Sequence, residues 1–172
     1  QYLSLIHESD SALEYLISYF EKVDDPVEIV FFGDHQPSLS SSFYPYLNGK
    51  GLGGLTLSEL ENLYTVPFFI WTNYDSGKES VELTSLNYLS TLALERAGIA
   101  LPAYNQFLAA MMEEIPAVNS RGFYFKSQGK FLHVEDAAGA DAKWLKNYEI
   151  LQYNNMFDKR NKSELFFAYL IQ

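Results

Sequence analysis

The sequence contains no cysteine, and its 12 lysine and arginine residues are outnumbered by 22 aspartate and glutamate residues. Without cysteine the chain has neither disulfide bonds nor thiolate metal ligands, although this does not identify its compartment. The formal net charge of −10 argues against a nucleic-acid partner, because such proteins need a basic surface to neutralise phosphates. No run of roughly 18 apolar residues is present, so no segment is predicted to cross a membrane.

Apolar and aromatic residues, in contrast, are abundant. Hydrophobic residues make up 48% of the 172-residue chain and aromatic residues 16%, which is enough for a packed core and is not typical of a disordered protein. The length fits one domain or a large piece of one. The first twenty residues already read as the middle of an amphipathic helix, and we therefore expect the chain to be part of a longer protein.

The order of the predicted elements indicates an α/β fold. A helix over residues 2–22 ends before Pro26, and the apolar run at 27–32 is typical of a strand buried on both faces of a mostly parallel sheet. "TVPFFIWTN" predicts a second buried strand. Further helices follow, and Ser127-Gln128-Gly129 inside an alternating stretch predicts a hairpin at a sheet edge. A last helix is predicted over residues 139–157.

The first predicted strand ends in Gly33-Asp34-His35. Ligands of open α/β sheets bind at the carboxyl ends of strands, but neighbouring side chains of a regular strand point to opposite faces. Gly33 would let the backbone bend so that Asp34 and His35 converge on one ion. A carboxylate and a neutral imidazole suit zinc or manganese better than calcium, although two ligands are too few for a tight site. Alternatively, Asp34 caps a turn and His35 packs against Tyr44.

Several stretches resemble one enzyme family. "SLIHESDSALEYLISYF", "VEIVFFGDHQPSL", "YTVPFFIWTNYD", "NYLSTLALERAGIALPAYNQFL" and "YEILQYNNMF" are similar to the C-terminal part of lipoteichoic acid synthases and phosphoglycerol transferases, in the sulfatase-like branch of the alkaline phosphatase superfamily. The resemblance weakens after about residue 120. It implies that Asp34 and His35 hold a divalent ion, commonly manganese, with zinc, magnesium and calcium as alternatives. The family's threonine nucleophile and a glutamate ligand would lie upstream of Gln1, so no catalytic residue is expected here.

The resemblance also implies a fold, an activity and a location. The chain would be part of an alkaline phosphatase-like sandwich, with a core over 1–120 and a hairpin and terminal helix over 121–172. The longer protein would move phosphoglycerol from a phosphatidylglycerol-type lipid to a glycerophosphate polymer or a glucan, outside the cytoplasm, anchored by N-terminal helices. This chain alone would be inactive. A sulfatase or phosphodiesterase of the same superfamily and a non-catalytic module that binds an envelope polymer are the alternatives.

Three further residues are candidates for substrate binding. Gln36 could contact substrate or orient His35, with an exposed turn as the alternative. Trp71 and Asn73 lie at the carboxyl end of the second predicted strand and, if the sheet is parallel, at the same edge as the Asp34-His35 pair. Core packing and turn formation are the alternatives for these two. An exposed sheet edge also predicts self-association between copies of the chain.

Overall fold

The structure is a computed structural model that describes residues 2–158 and 160–167. Seven α-helices and five β-strands lie within these residues and confirm the predicted α/β class. The helices are α1 (Tyr2–Phe20), α2 (Tyr44–Asn48), α3 (Leu57–Asn62), α4 (Leu89–Arg96), α5 (Ala103–Glu114), α6 (Gly139–Met156) and α7 (Glu164–Phe167). The strands are β1 (Glu28–Phe32), β2 (Phe68–Thr72), β3 (Ala117–Val118), β4 (Gly122–Phe125) and β5 (Lys130–His133).

The chain divides into two compact units, and the first contains α1, β1 and β2. β1 and β2 pair antiparallel, with Glu28 opposite Thr72 and Phe32 opposite Phe68. The predicted mostly parallel sheet is therefore wrong for these strands. A continuous apolar run indicates burial but says nothing about strand direction, and the long connection from β1 to β2 permits either direction.

The predicted burial of β1 on both faces is also wrong within this unit. Phe31 and Phe32 are exposed, and every residue of β2 is only partly buried. The sheet has two strands, so each strand has one neighbour in it. The stack of Phe31 on Phe69, with ring centroids 5.2 Å apart, supplies a cross-strand aromatic contact.

The second unit comprises Gly33–Val66 and the residues from Ser80 onward, and it holds the hydrophobic core. The core cluster comes from the segment before α4, from α5 and the residue after it, from β4 and from α6: Tyr88, Leu108, Met111, Ile115, Phe123 and Tyr148. The Tyr88 hydroxyl donates a 2.7 Å hydrogen bond to the carbonyl of Ile115, which satisfies a polar group inside the core. Burial raises the pKa of Tyr148 to about 12 and also raises that of Tyr88.

The three-stranded sheet of this unit contains the predicted hairpin. β3, β4 and β5 are antiparallel, and Gly129 turns the chain between β4 and β5 with a φ of 63°. Gly122 begins β4, where a Cβ atom would lie 2.8 Å from the carbonyl oxygen of Leu132 and 3.2 Å from Leu57. Only glycine fits this close approach. The terminal helix predicted at 139–157 is α6, and residues 168–172 lie outside the described part.

The serine- and glycine-rich segment after β1 contains α2 and leads into α3, whose start is capped. Thr56 Oγ1 accepts from the backbone N–H of Glu59, and the Glu59 carboxylate accepts from the Thr56 N–H at 2.7 Å. This backbone bond, together with Lys50 at 2.9 Å, lowers the pKa of Glu59 to about 2. Among the described helices, none has the length and apolar content needed to cross a membrane.

Candidate functional site

Asp34 and His35 lie directly after β1, and their side chains converge. The Nε2 atom of His35 is 3.5 Å from Oδ2 of Asp34, while Oδ1 of Asp34 accepts a 2.9 Å hydrogen bond from the His35 backbone N–H. The side chain of His35 is 74% exposed and that of Asp34 is 82% exposed. The chain has left the regular strand at this point, so the alternation that would separate neighbouring side chains no longer applies.

The orientation of the imidazole shows which of its nitrogens donates a hydrogen bond. Nδ1 of His35 lies 2.9 Å from the carbonyl oxygen of Gln36. A carbonyl oxygen can only accept, so Nδ1 carries the proton in this hydrogen bond, and Nε2 is the nitrogen that a metal would bind when the ring is neutral. Nε2 is the atom that faces the Asp34 carboxylate. A backbone carbonyl that holds the opposite ring nitrogen is a common support for a metal-ligating histidine.

The backbone next to the pair lies against the segment that precedes β2. A Cβ atom at Gly33 would be 3.0 Å from Cβ of Val66 and 3.3 Å from its Cγ1. The Gln36 side-chain amide donates a short hydrogen bond to the Thr65 carbonyl. Gly33 does not have a positive φ, so its role is to permit this close approach rather than an unusual backbone conformation. The Gln36 side chain does not contact His35; its backbone carbonyl does.

The donor pair matches part of a divalent metal site. Two ligand atoms at about 2.1 Å from one tetrahedral ion lie about 3.4 Å apart, close to the 3.5 Å between Nε2 and Oδ2. The carboxylate supplies one negative charge and the imidazole a neutral nitrogen donor. Among residues 2–158 and 160–167, no three His, Cys, Asp or Glu side chains are placed to share an ion. The pair thus offers two donor atoms, whereas a tight zinc site has about four ligands.

Trp71 and Asn73 do not lie where the parallel arrangement would place them. Because β2 runs antiparallel to β1, Trp71 pairs with Ile29, and Asn73 lies beside Val27 at the start of β1. Asp34 follows the opposite end of β1. The expectation that these residues share an edge with the Asp34-His35 pair is therefore wrong. It assumed that β1 and β2 are parallel, whereas they are antiparallel.

The side chain of Asn73 is occupied by backbone groups of its own unit. Oδ1 accepts a 2.8 Å hydrogen bond from the Val27 N–H, and Nδ2 donates to the carbonyls of Phe20, Val23 and Asp25 at 3.2, 2.9 and 2.9 Å. Asn73 thus connects the end of α1 with the start of β1. This arrangement agrees with the structural alternative considered for Asn73, in which the residue stabilises the chain around a turn.

The outer face of α6 and the residue after this helix carry four apolar side chains that were not among the predicted site residues. Ile150, Tyr153, Met156 and Phe157 follow helical spacing, which predicts one apolar face of a helix. In the structure all four side chains are exposed. The spacing was visible in the sequence, but it does not distinguish a face that packs into a core from a face that remains uncovered.

Comparison with known proteins identifies the family. A sulfatase family profile matches residues 1–99, which is more than half of the chain and includes the Asp34-His35 pair. The chain belongs to the sulfatase family. Sulfatase superfamily members typically use a divalent metal ion, in agreement with the donor types found at Asp34 and His35. No solved structure was found to match this sulfatase-family chain.

Two relatives come from Rhizobium meliloti (strain 1021). A putative cyclic beta-1,2-glucan modification protein is 26% identical over 169 residues, covering 96% of this sulfatase-family chain and 26% of the relative. The capsular polysaccharide biosynthesis protein RkpI is 47% identical over 45 residues, covering 26% of the chain and 8% of the relative. The chain thus spans about a quarter of the first relative's length and a smaller part of the second.

Proposed function

We propose that this chain is the C-terminal part of a metal-dependent phosphoglycerol transferase that modifies cell-envelope glucans. The donor would be a phosphatidylglycerol-type lipid, and the acceptor a glucan or the end of a glycerophosphate polymer, as in lipoteichoic acid synthases. Similarity to a putative glucan modification protein along 96% of the chain supports the glucan. The reaction would take place outside the cytoplasm, in a longer protein anchored by membrane helices.

The convergence of Asp34 and His35 is the observation on which the proposal rests. A carboxylate oxygen and an imidazole nitrogen lie 3.5 Å apart, and both side chains are open to solvent. In a structural role these two polar side chains would bond to the protein around them. Within residues 2–158 and 160–167, the two side chains instead contact each other and the backbone of residues 35 and 36. This leaves both donor atoms accessible to an ion.

The two residues would have distinct roles. Asp34 would supply the negative charge that attracts the cation, and His35 a neutral nitrogen held in one orientation by the Gln36 carbonyl. A bound divalent ion would lower the pKa of a nucleophilic hydroxyl and stabilise negative charge on a phosphoryl group. The nucleophile is not proposed among these residues. The chain alone is accordingly expected to be inactive.

The metal preference can be measured by calorimetric titration of Mn²⁺ into the 172-residue chain. Two ligands with water at the remaining positions should bind with a dissociation constant on the order of millimolar. Asp34→Asn should abolish this binding, whereas Asp10→Asn, an exposed change on α1, should leave it unchanged. Micromolar affinity, or equal affinity in Asp34→Asn, would contradict the two-ligand site. Parallel titrations with Zn²⁺, Mg²⁺ and Ca²⁺ would rank the ions.

The activity requires the longer protein. Asp34→Ala in that protein should abolish phosphoglycerol transfer from phosphatidylglycerol to a glucan acceptor, while Asp10→Ala should retain it. If Asp34→Ala leaves turnover unchanged, the metal role is wrong. Hydrolysis of an aryl sulfate without phosphoglycerol transfer would establish the sulfatase alternative. Polymer binding without either turnover would establish the non-catalytic module.

A further inference from the structure

The carbonyl group that orients His35 belongs to Gln36, in a stretch without regular secondary structure over residues 35–40. Both residues are exposed. Segments of this kind move unless other contacts hold them, so the imidazole is only as well oriented as the Gln36 peptide group. Two features of the chain restrict that peptide group.

The first restriction is Pro37, which follows Gln36 directly. The ring of a proline disfavours the helical region for the residue before it and leaves extended backbone conformations. Because the backbone conformation of Gln36 sets the direction of its carbonyl group, Pro37 narrows the range of directions available. It does not select one of them.

The second restriction is the side chain of Gln36 itself. Its Nε2 donates a short hydrogen bond to the backbone carbonyl of Thr65, 29 residues further along the chain. The same residue therefore makes two bonds: its side-chain amide binds Thr65, and its own carbonyl accepts from Nδ1 of His35. Holding the side chain against a second segment also holds the peptide group to which it is attached.

The Thr65 carbonyl is a firm anchor, because hydrogen bonds connect this residue to the three-stranded sheet. Thr65 Oγ1 donates a 3.2 Å hydrogen bond to the carbonyl of Glu61 in the last turn of α3. The Glu61 side chain is buried, and its carboxylate accepts a short hydrogen bond from the Asn119 amide. Oδ1 of Asn119 accepts from the backbone N–H groups of Arg121 and Gly122, at 2.8 and 3.1 Å. Gly122 begins β4.

We propose that Gln36 is a positioning residue for the metal ligand His35. It does not touch the ion. Its side chain fixes the peptide group whose carbonyl holds Nδ1, and Nε2 is thereby directed toward the ion before binding, which lowers the entropy lost on binding. This inference rests on the proposed function, because that function supplies the ion. Gln36, Thr65, Glu61 and Asn119 all belong to the second unit, as do Asp34 and His35.

Gln36→Met tests the proposal, because methionine has a similar length and leaves the backbone carbonyl in place but cannot donate a hydrogen bond. In the 172-residue chain at about pH 9, nitrogen-15 NMR should show His35 protonated at Nδ1 in the wild type. The variant should show a mixture of the two neutral forms. Mn²⁺-induced broadening of NMR signals should show binding about three- to tenfold weaker in Gln36→Met, as expected for the loss of one hydrogen bond.

Gln152→Met makes the same chemical change at an exposed position of α6 and is the matched control, which should alter neither measurement. Unchanged ring nitrogen signals of His35 in Gln36→Met would overturn the proposal, and so would an unchanged Mn²⁺ affinity. A simultaneous change at His133 would also overturn it, because the effect would then be a general loss of structure.

Failure of this inference is distinguishable from failure of the proposed function. If the wild-type chain binds no Mn²⁺, the metal-dependent function is contradicted, and the positioning role is lost with it. If the wild type and Gln36→Met bind Mn²⁺ equally well, only the positioning role is wrong.

Discussion

Replacing Asn73 tests whether this residue stabilises the fold or contacts substrate. Its side chain accepts one hydrogen bond from the Val27 N–H and donates to three backbone carbonyls between α1 and β1. Asn73→Ala removes all of them at once. Asn73→Asp keeps the acceptor for Val27 but directs a carboxylate at the three carbonyls. The two variants therefore separate the loss of the donors from the loss of the acceptor.

The expected cost follows from the number and length of these bonds. Three of them are 2.8 to 2.9 Å long and the fourth is 3.2 Å. A net contribution of about 1 kcal/mol for each well-formed bond gives about 3 kcal/mol, and partial solvent access reduces this to about 2 to 3 kcal/mol. Asn73→Asp should cost at least as much at neutral pH. Its cost should decrease below about pH 4, where a protonated carboxyl group can donate again.

Urea unfolding monitored by circular dichroism measures the free energy of unfolding, and amide exchange at Val27 reports the local effect. Asn48→Ala, an exposed change at the end of α2, is the control and should alter stability by less than about 0.5 kcal/mol. Equally small changes in Asn73→Ala would refute the structural role. Retained stability together with lost turnover in the longer protein would show that the substrate hypothesis for Asn73 is correct.

Two further predictions concern the second unit. Gly33→Ala should destabilise the chain by about 1 to 3 kcal/mol and weaken Mn²⁺ binding, because the new Cβ would lie 3.0 Å from Val66. Adding Val66→Ala to this variant should restore both the stability and the Mn²⁺ affinity. If chemical denaturation shows no such rescue, the close-contact explanation is wrong. The folded-state pKa of Glu59 is lowered from 4.5 to about 2, mainly by the hydrogen bond from the Thr56 backbone and then by Lys50. The ionised Glu59 carboxylate therefore stabilises the fold above pH 4.5, and this stabilisation is lost as the pH falls towards 2. Glu59→Gln should flatten the pH dependence of the melting temperature in that window, and an unchanged profile would count against the cap.

Local features were the most predictable from the sequence. Thr56 caps α3, Gly98 takes a φ of 69° just after α4, and Gly129 turns the hairpin. Each depends on a few neighbouring residues whose backbone preferences are encoded at that position. The Asp34-His35 pair also belongs to this group, since adjacent residues need only one departure from regular strand geometry to converge.

Features that join distant segments were not predictable in the same way. The apolar residues of β1 and β2 indicate strands, but their antiparallel pairing depends on the path of the chain between them. That pairing placed Asn73 beside Val27 and away from the end of β1 that precedes Asp34. The Gln36 side chain likewise bonds to Thr65, 29 residues away, which no local pattern indicates.

The sequence by itself indicated most of the longer helices and strands and the adjacent placement of Asp34 and His35, whose carboxylate and imidazole are the proposed metal donors. Only the tertiary structure decided strand direction, the partners of Asn73, the contact of Gly33 with Val66 and the exposure of the apolar side chains on the outer face of α6. The physical reason is that backbone preferences act over a few residues. Pairing and burial depend on which remote segments occupy the space beside a residue.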